Sequence, residues 1–213
     1  MPDVTAVILA GGLGTRLRSV VPNLPKCLAE VNGKPFIFYI LRQLVAAKVR
    51  RIVIAVNYLG EMISLQVGTE YLGVPIYYSY DEIENGGTGH ALRAALPYIN
   101  TDHVLVMNGD TYVDIDLNDF IWYVQYNSDY NNGLILNILG GPKNMGIYLF
   151  NTTILGEILP LNRSYSIENQ LLSEIFDMST AIIRTYIVNR PFIDIGTPES
   201  YAKAGEFMKK IGK

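Results

Sequence analysis

Ala6-Val7-Ile8-Leu9-Ala10-Gly11-Gly12-Leu13-Gly14-Thr15-Arg16-Leu17, running on to Pro25-Lys26-Cys27-Leu28, decides how the rest of this chain is read. An apolar run with strand character ends in a glycine loop, and two cations follow it. Glycines let a backbone turn tightly and bring bare N–H groups against phosphate oxygens, while Arg16 and Lys26 offer the positive charge that a polyphosphate reaction gathers. The stretch points to nucleotide chemistry on an α/β scaffold and excludes the better known phosphate loops. A Walker loop needs Gly-Lys-Ser or Gly-Lys-Thr, which occurs nowhere in the chain. The dinucleotide fingerprint that would begin at Gly12 and Gly14 meets Leu17 where its third glycine belongs.

Bulk properties narrow the class further. The chain has 213 residues, of which 49% are hydrophobic, enough for one sizeable core and leaving little room for a second, so residues 1–213 are read as one domain. A formal net charge of −3 with no basic block argues against a nucleic-acid partner, although local basic residues still suit a small phosphate. Cys27 is the only cysteine, which rules out an intrachain disulfide and a thiolate metal site and fits a reducing cytoplasm. The apolar run at residues 6–10 is too short to cross a bilayer or serve as a secretory core, so neither membrane insertion nor export is expected.

Outward from the opening stretch, strand and helix patterns alternate, the mark of parallel strands joined by crossover helices. Residues 4–9, 51–56, 74–80 and 104–107 read as strands, residues 35–47 as a helix, residues 61–67 as a short one, and Thr88 as the N-cap of a helix ending at Pro97. The second half reads as helices at 117–127 and, capped by Ser166, at 167–176, with strands at 134–139, 147–150, 181–188 and 192–195. A last helix is capped by Thr197, with Pro198 in its first position. Gly11 to Arg16, Asn57, Glu82 to Gly89 and Asn108 to Asp110 each follow a strand. In an open α/β sheet the carboxyl ends of the strands share one crevice, so these scattered pieces are expected to meet.

The whole string, with Arg16 two residues after Gly14 and Pro25-Lys26 beyond it, resembles the signature of the sugar-1-phosphate nucleotidyltransferases. The likeness continues through Gly87-Thr88-Gly89, Asn108-Gly109-Asp110, Asn144-Met145-Gly146 and Phe192-Ile193-Asp194-Ile195-Gly196-Thr197-Pro198-Glu199, covering nearly the full chain. Within the family the wording is most similar to the bacterial heptose-1-phosphate guanylyltransferases. The resemblance implies a single Rossmann-like domain with a mixed, mostly parallel central sheet flanked by helices. It also implies a Mg²⁺-dependent reaction of a nucleoside triphosphate, GTP in this subgroup, with a sugar 1-phosphate. Mannose or glucose 1-phosphate, a cell-wall sugar with UTP, and a non-catalytic nucleotide-sugar binder are the alternatives.

By the same resemblance Arg16 clamps the triphosphate and Lys26 stands between the α-phosphate and the incoming sugar phosphate. Leu9, Ala10, Gly11, Gly12, Gly14, Thr15, Glu84, Gly87, Thr88 and Asn108 join Arg16 in binding the nucleotide. Gly109, Asn144 and Glu168 contact the sugar, and Asp110 and Asp194 hold the Mg²⁺. Spacing alone leaves Arg16 and Lys26 open as solvated loop cations, Asp110 as a turn residue and Asp194 as a neighbour of a helix cap.

Asp114, Asp116 and Asp119 read as turn or capping residues. His90 departs from the family wording, where small residues are usual, and reads as a helix-surface histidine. Cys27 departs from the common Pro-Lys-Pro and reads as a small packed hydrophobe. The chain also passes from Leu139 through Gly140-Gly141-Pro142-Lys143 directly to Asn144, where relatives carry a longer sugar-facing region. Tyr77, Tyr78 and Tyr80 are expected to alternate across a strand. Trp122, Tyr126 and Tyr130 recur at helical spacing and read as core, with an aromatic strip pairing two copies in a homodimer as the alternative.

Overall fold

Side chains at every second position of a strand share a face, and both faces of Val4–Leu9 are apolar, which requires layers on both sides. The computed structural model describes residues 3–81, 86–127, 135–140, 144–160, 163–177 and 182–213. Its strands are β1 (Val4–Leu9), β2 (Glu30–Val31), β3 (Lys34–Pro35), β4 (Arg51–Val56), β5 (Glu70–Tyr71), β6 (Val74–Tyr80), β7 (His103–Asn108), β8 (Thr111–Val113), β9 (Ile135–Gly140), β10 (Asn144–Asn151), β11 (Ile182–Ile187) and β12 (Phe192–Asp194). The helices are α1 (Ile37–Ala46), α2 (Gly60–Val67), α3 (Gly87–Ala95), α4 (Leu117–Asn127), α5 (Thr152–Ile158), α6 (Leu172–Asp177) and α7 (Pro198–Lys210), with a π turn at Ile167–Leu171 leading into α6.

Eight strands form one mixed sheet in the order β11-β9-β10-β7-β1-β4-β6-β5. β1 runs parallel to β4 and β7, β4 to β6, and β9 to β11, whereas β10 is antiparallel to both its neighbours and β5 to β6. Two short antiparallel ribbons, β2 with β3 and β8 with β12, stand apart from it. On one face Ala6 and Ile8 pack with Ile40 and Leu44 of α1, Phe120 of α4 and Met208 of α7. On the other, Val7, Val53 and Val106 pack with Leu92 of α3, Leu155 of α5 and Tyr165. Each large apolar side chain taken fully out of water stabilises the fold by about 1.5–3 kcal/mol.

The reversal of β10 positions the site. The parallel strands β1, β4, β6 and β7 deliver their carboxyl ends to one edge, and an antiparallel strand brings its amino end there. Gly146 accordingly lies against Asn108, so close that a β-carbon on it would collide with the Asn108 side chain.

The expected cap at Thr88 is corrected. Helix α3 begins at Gly87 with Gly86 in the cap position and no side-chain cap bond. Its first turn is docked instead on Tyr165, whose carbonyl accepts from the N–H groups of Gly89 at 2.8 Å and His90 at 3.2 Å. Thr197 and Pro198 take their expected places at α7, where Thr197 and Ser200 close a capping box, and Ser166 caps the π turn by accepting from Asn169 N. Asp116 accepts from Asn118 N at 2.9 Å ahead of α4. Among the described residues no helix is long and apolar enough to cross a membrane.

Candidate active site

The glycine loop crosses the carboxyl edge of the sheet with almost no space beneath it. A β-carbon on Gly11 would stand 3.2 Å from Asn57 N, and one on Gly109 would stand 2.9 Å from Leu9 O. Above this floor lies a cavity of about 380 Å³ lined by residues 9–13, Lys26, Cys27, Asn57, Asp81, residues 86–88, Ala91 and residues 108–110. The sequence-predicted Leu9, Ala10, Gly11, Gly12, Lys26, Gly87, Thr88, Asn108, Gly109 and Asp110 therefore meet on one wall system. Gly14, Thr15 and Arg16 follow directly, with Gly14 at φ +61° beside Lys26 and Thr15 and Arg16 on an exposed turn. Glu84, Tyr130 and Lys143 lie outside the described residues.

Charge gathers on one wall of the cavity. The Lys26 ammonium forms an ion pair and hydrogen bond with Asp110 Oδ2. Asp194 reaches the same place through the β8–β12 ribbon, where it pairs with Thr111 while Ile195 N donates to Asp110 O at 2.9 Å. Gly196 separates the two carboxylates. A β-carbon there would stand 2.7 Å from Asp194 Oδ1 and 3.6 Å from Asp110 Oδ2. Burial, with Asp110 next in weight, pushes the Cys27 thiol up to about 12, and its side chain is packed away as the sequence implied.

The expected sugar contacts also converge, through a residue that the sequence reading missed. Asn144 Nδ2 donates to Tyr148 Oη at 2.9 Å, and Tyr148 Oη donates to Glu168 Oε1 at 3.2 Å. Thr88 Oγ1 and Ser166 Oγ donate to Glu168 Oε2 at 2.7 and 3.1 Å. Burial and the Glu168 charge raise the Tyr148 hydroxyl above its ordinary value, so it remains a donor across the neutral range. Glu168 is thus tied to the cavity lining through Thr88 and to Asn144 through Tyr148.

His90 is corrected from surface residue to buried partner. Its Nδ1 lies 2.7 Å from Asp81 Oδ1, with side-chain exposures of 8% and 5%. Gly86 passes so near that a β-carbon would meet Asp81 Oδ2 at 2.7 Å. The glycines at 87 and 89 answer to Tyr165, whose backbone oxygen would lie 2.6 and 3.0 Å from their β-carbons. Tyr77 and Tyr80 are exposed and Tyr78 is half-buried with its hydroxyl donating to Gly68 O at 2.5 Å, as a strand surface dictates. Trp122 is 62% exposed, which corrects its core reading, and the side chain of Tyr126 lies outside the described residues.

A glycine loop facing a cation and a carboxylate, with a hydrogen-bonded polar wall nearby, suits a phosphate-bearing ligand. Residues 6–165 match the family of the MobA-like NTP transferase domain. The chain is 35% identical over 219 aligned residues to D-glycero-alpha-D-manno-heptose 1-phosphate guanylyltransferase of Campylobacter jejuni, covering 92% of this chain and 96% of the relative. It is 32% identical over 224 aligned residues to the protein of that name from Aneurinibacillus thermoaerophilus, covering 93% and 96%. The crystal structure of HddC from Yersinia pseudotuberculosis complexed with GMP-PN superposes with a TM-score of 0.76 at 27% identity, over 95% of this chain and 98% of that one. The chain belongs to the sugar-1-phosphate nucleotidyltransferase family.

Proposed function

We propose that this chain transfers a nucleoside monophosphate from GTP to D-glycero-α-D-manno-heptose 1-phosphate, releasing pyrophosphate. The observation that carries the reading is the Lys26–Asp110 pair in the wall of the glycine-lined cavity, with Asp194 close to Asp110 across Gly196. The names of the Campylobacter and Aneurinibacillus relatives and the GMP-PN of the Yersinia structure support the choice of base and sugar. A cytoplasmic location fits the single, buried thiol.

The attacking sugar phosphate oxygen is already anionic, so the protein supplies no nucleophile and no strong base. It holds two anions in line and offsets the charge that builds on the α-phosphate and the leaving pyrophosphate. Backbone at residues 9–12 and the segment 84–89, with Glu84, Gly87 and Thr88, receives the base, and Gly14, Thr15 and Asn108 complete the nucleotide site. Arg16 forks onto the triphosphate, and Lys26 leaves Asp110 to bridge the two reacting phosphates. Gly109, Asn144 and Glu168 orient the sugar.

Asp110 and Asp194 fit a Mg²⁺ ion, because that ion takes one or two carboxylates and fills its shell with phosphate and water oxygens. Gly196 leaves the gap between their oxygens open, and among the described residues no cluster of three or more His, Cys, Asp or Glu offers a fuller cage. When bound there, the ion would neutralise phosphate charge. Pyrophosphate release measured with GTP, UTP and ATP against heptose, mannose and glucose 1-phosphates tests the reading. The highest kcat/KM is expected for GTP with the heptose, and turnover confined to UTP would overturn the guanylyl assignment.

A further inference from the structure

Two consecutive residues of the turn after β4 meet the glycine loop at separate points. Asn57 lies beneath the near end, where a β-carbon on Gly11 would stand 3.2 Å from its backbone nitrogen. Tyr58 meets the far end, with the Arg18 guanidinium carbon 4.8 Å from the centroid of its ring. The first contact belongs to the floor of the cavity, whereas no step of the proposed reaction uses the second.

The support under Tyr58 is stiff. Gly60 N donates to Asn57 O at 3.1 Å and closes the turn, with Leu59 at φ +56° and Gly60 pressed on Val56. Asn57 Nδ2 donates to Asp81 O at 2.9 Å, which ties the same turn to the end of β6. The segment that carries Arg18 is built differently. Residues 15–20 are a run of turns on the surface, and Leu17, 1% exposed, is the one buried residue among them. Leu17 N donates to Gly14 O at 2.9 Å, and Leu17 O accepts from Val20 N at 3.0 Å and Val21 N at 2.9 Å. One buried side chain fixes where such a segment attaches but not how it is turned. Arg16 and Arg18 flank that anchor, both exposed.

A guanidinium is drawn to the negative face of an aromatic ring, and an exposed pair of this kind shifts an equilibrium about two- to fivefold. The Tyr58 hydroxyl makes no hydrogen bond among the described residues, so the ring face alone provides the contact. We propose that the Arg18–Tyr58 stack is a clasp that sets the turn of residues 15–20, and through it Arg16, in the orientation that meets the triphosphate. Arg18 and Tyr58 are positioning residues that act through Arg16, and this role rests on the proposed reaction. Opening the clasp lowers the fraction of molecules ready to bind, and the apparent affinity falls by that fraction. Once the nucleotide is bound, its own contacts hold the turn.

Calorimetric titration of the full chain with GTP and Mg²⁺, together with steady-state pyrophosphate release, tests the clasp. Both side chains are exposed, so truncating either leaves the core intact. Tyr58→Ala and Arg18→Ala are each expected to raise the Kd and the KM for GTP about threefold, with kcat and the KM for the sugar phosphate nearly unchanged. Tyr58→Phe keeps the ring and is expected to bind GTP like the parent. The double variant is expected to be no weaker than either single one, and Tyr58→Ala is expected to add nothing in an Arg16→Ala background. Tyr58→Phe as weak as Tyr58→Ala, additive single effects, or a further loss without Arg16 overturns the clasp. Arg18→Ala far weaker than Tyr58→Ala would put Arg18 on the phosphate itself and overturn it as well. A parent that releases no pyrophosphate would count against the proposed reaction, while the ratio of GTP affinities still decides the clasp. If the parent binds UTP in place of GTP, the same titrations with UTP decide it.

Discussion

The Lys26 ammonium lies on the Asp110 carboxylate, joining the loop after β1 to the loop after β7 across 84 positions of sequence. With side chains 21% and 16% exposed, the pair is shielded from most of the screening that makes surface ion pairs weak. In the proposed reaction a phosphate oxygen entering the cavity would compete with Asp110 for Lys26, and the freed carboxylate would be available to hold a Mg²⁺ ion.

Lys26→Ala removes a charge that the transition state needs, so kcat is expected to fall about a hundredfold or more. Lys26→Arg should recover only part of it, because a planar fork does not replace a compact ammonium. Steady-state pyrophosphate release with circular dichroism as a fold check measures both. Near-normal turnover of the alanine variant would refute the mechanism.

Asp194→Asn keeps an oxygen to accept from Gly196 N, now bonded at 2.6 Å, but removes the charge. The Mg²⁺ concentration for half-maximal rate is expected to rise about tenfold or more. A titration of rate against Mg²⁺ reads this directly, and an unshifted midpoint would remove Asp194 from the metal.

Tyr148→Phe deletes the one oxygen that links Asn144 to Glu168. The expected result is a rise of about tenfold in KM for the sugar phosphate with KM for the triphosphate nearly unchanged. Equal rises in both constants would point to a general loosening of β10.

Gly87→Ala puts a β-carbon 2.6 Å from Tyr165 O at a residue with φ +82°. The expected destabilisation is about 2 kcal/mol or more. Gly12→Ala, with nothing within 4 Å, is expected to stay within about 0.5 kcal/mol of the parent in urea denaturation.

Cys27 sets an alkaline limit. Its thiol rises from an ordinary 9.0 to about 12 in the fold, so above pH 9 the unfolded chain sheds a proton that the folded chain keeps. Stability is intact below pH 9 and falls as pH climbs toward 12, by up to about 1.4 kcal/mol per pH unit. Cys27→Ala is expected to flatten the slope between pH 9 and 10, before Tyr78 and Tyr112 begin to contribute from 10.0. Chemical denaturation at several pH values gives the slope.

Local pattern made β1, β4, β6 and α4 readable to the residue, because period and flanking turns lie within a few positions of each other. Convergence of residues 11–12, 57 and 108–110 followed from strand polarity alone. Residues 192–195 read as a strand, but β8 is too short for any period and its pairing with β12 leaves no local mark, so nothing but resemblance put Asp194 beside Asp110. Tyr148 was hidden in an apolar strand, and it meets Asn144 across a register irregularity, with Gly146 at φ +66°, that no strand period foretells. His90 and Thr88 were misread because their partners, Asp81 and Glu168, come from other elements. Trp122 fitted a helical stripe that the packing leaves in water.

β1 is flanked on one side by β7, which begins opposite Val4 only at His103. During synthesis at 5–20 residues per second, the strand that leads into the glycine loop therefore waits about 5–20 s with one edge bare and its apolar faces uncovered. Co-expressed chaperones that cover the apolar faces, or faster translation ahead of residue 108 that shortens the wait, should raise the soluble yield.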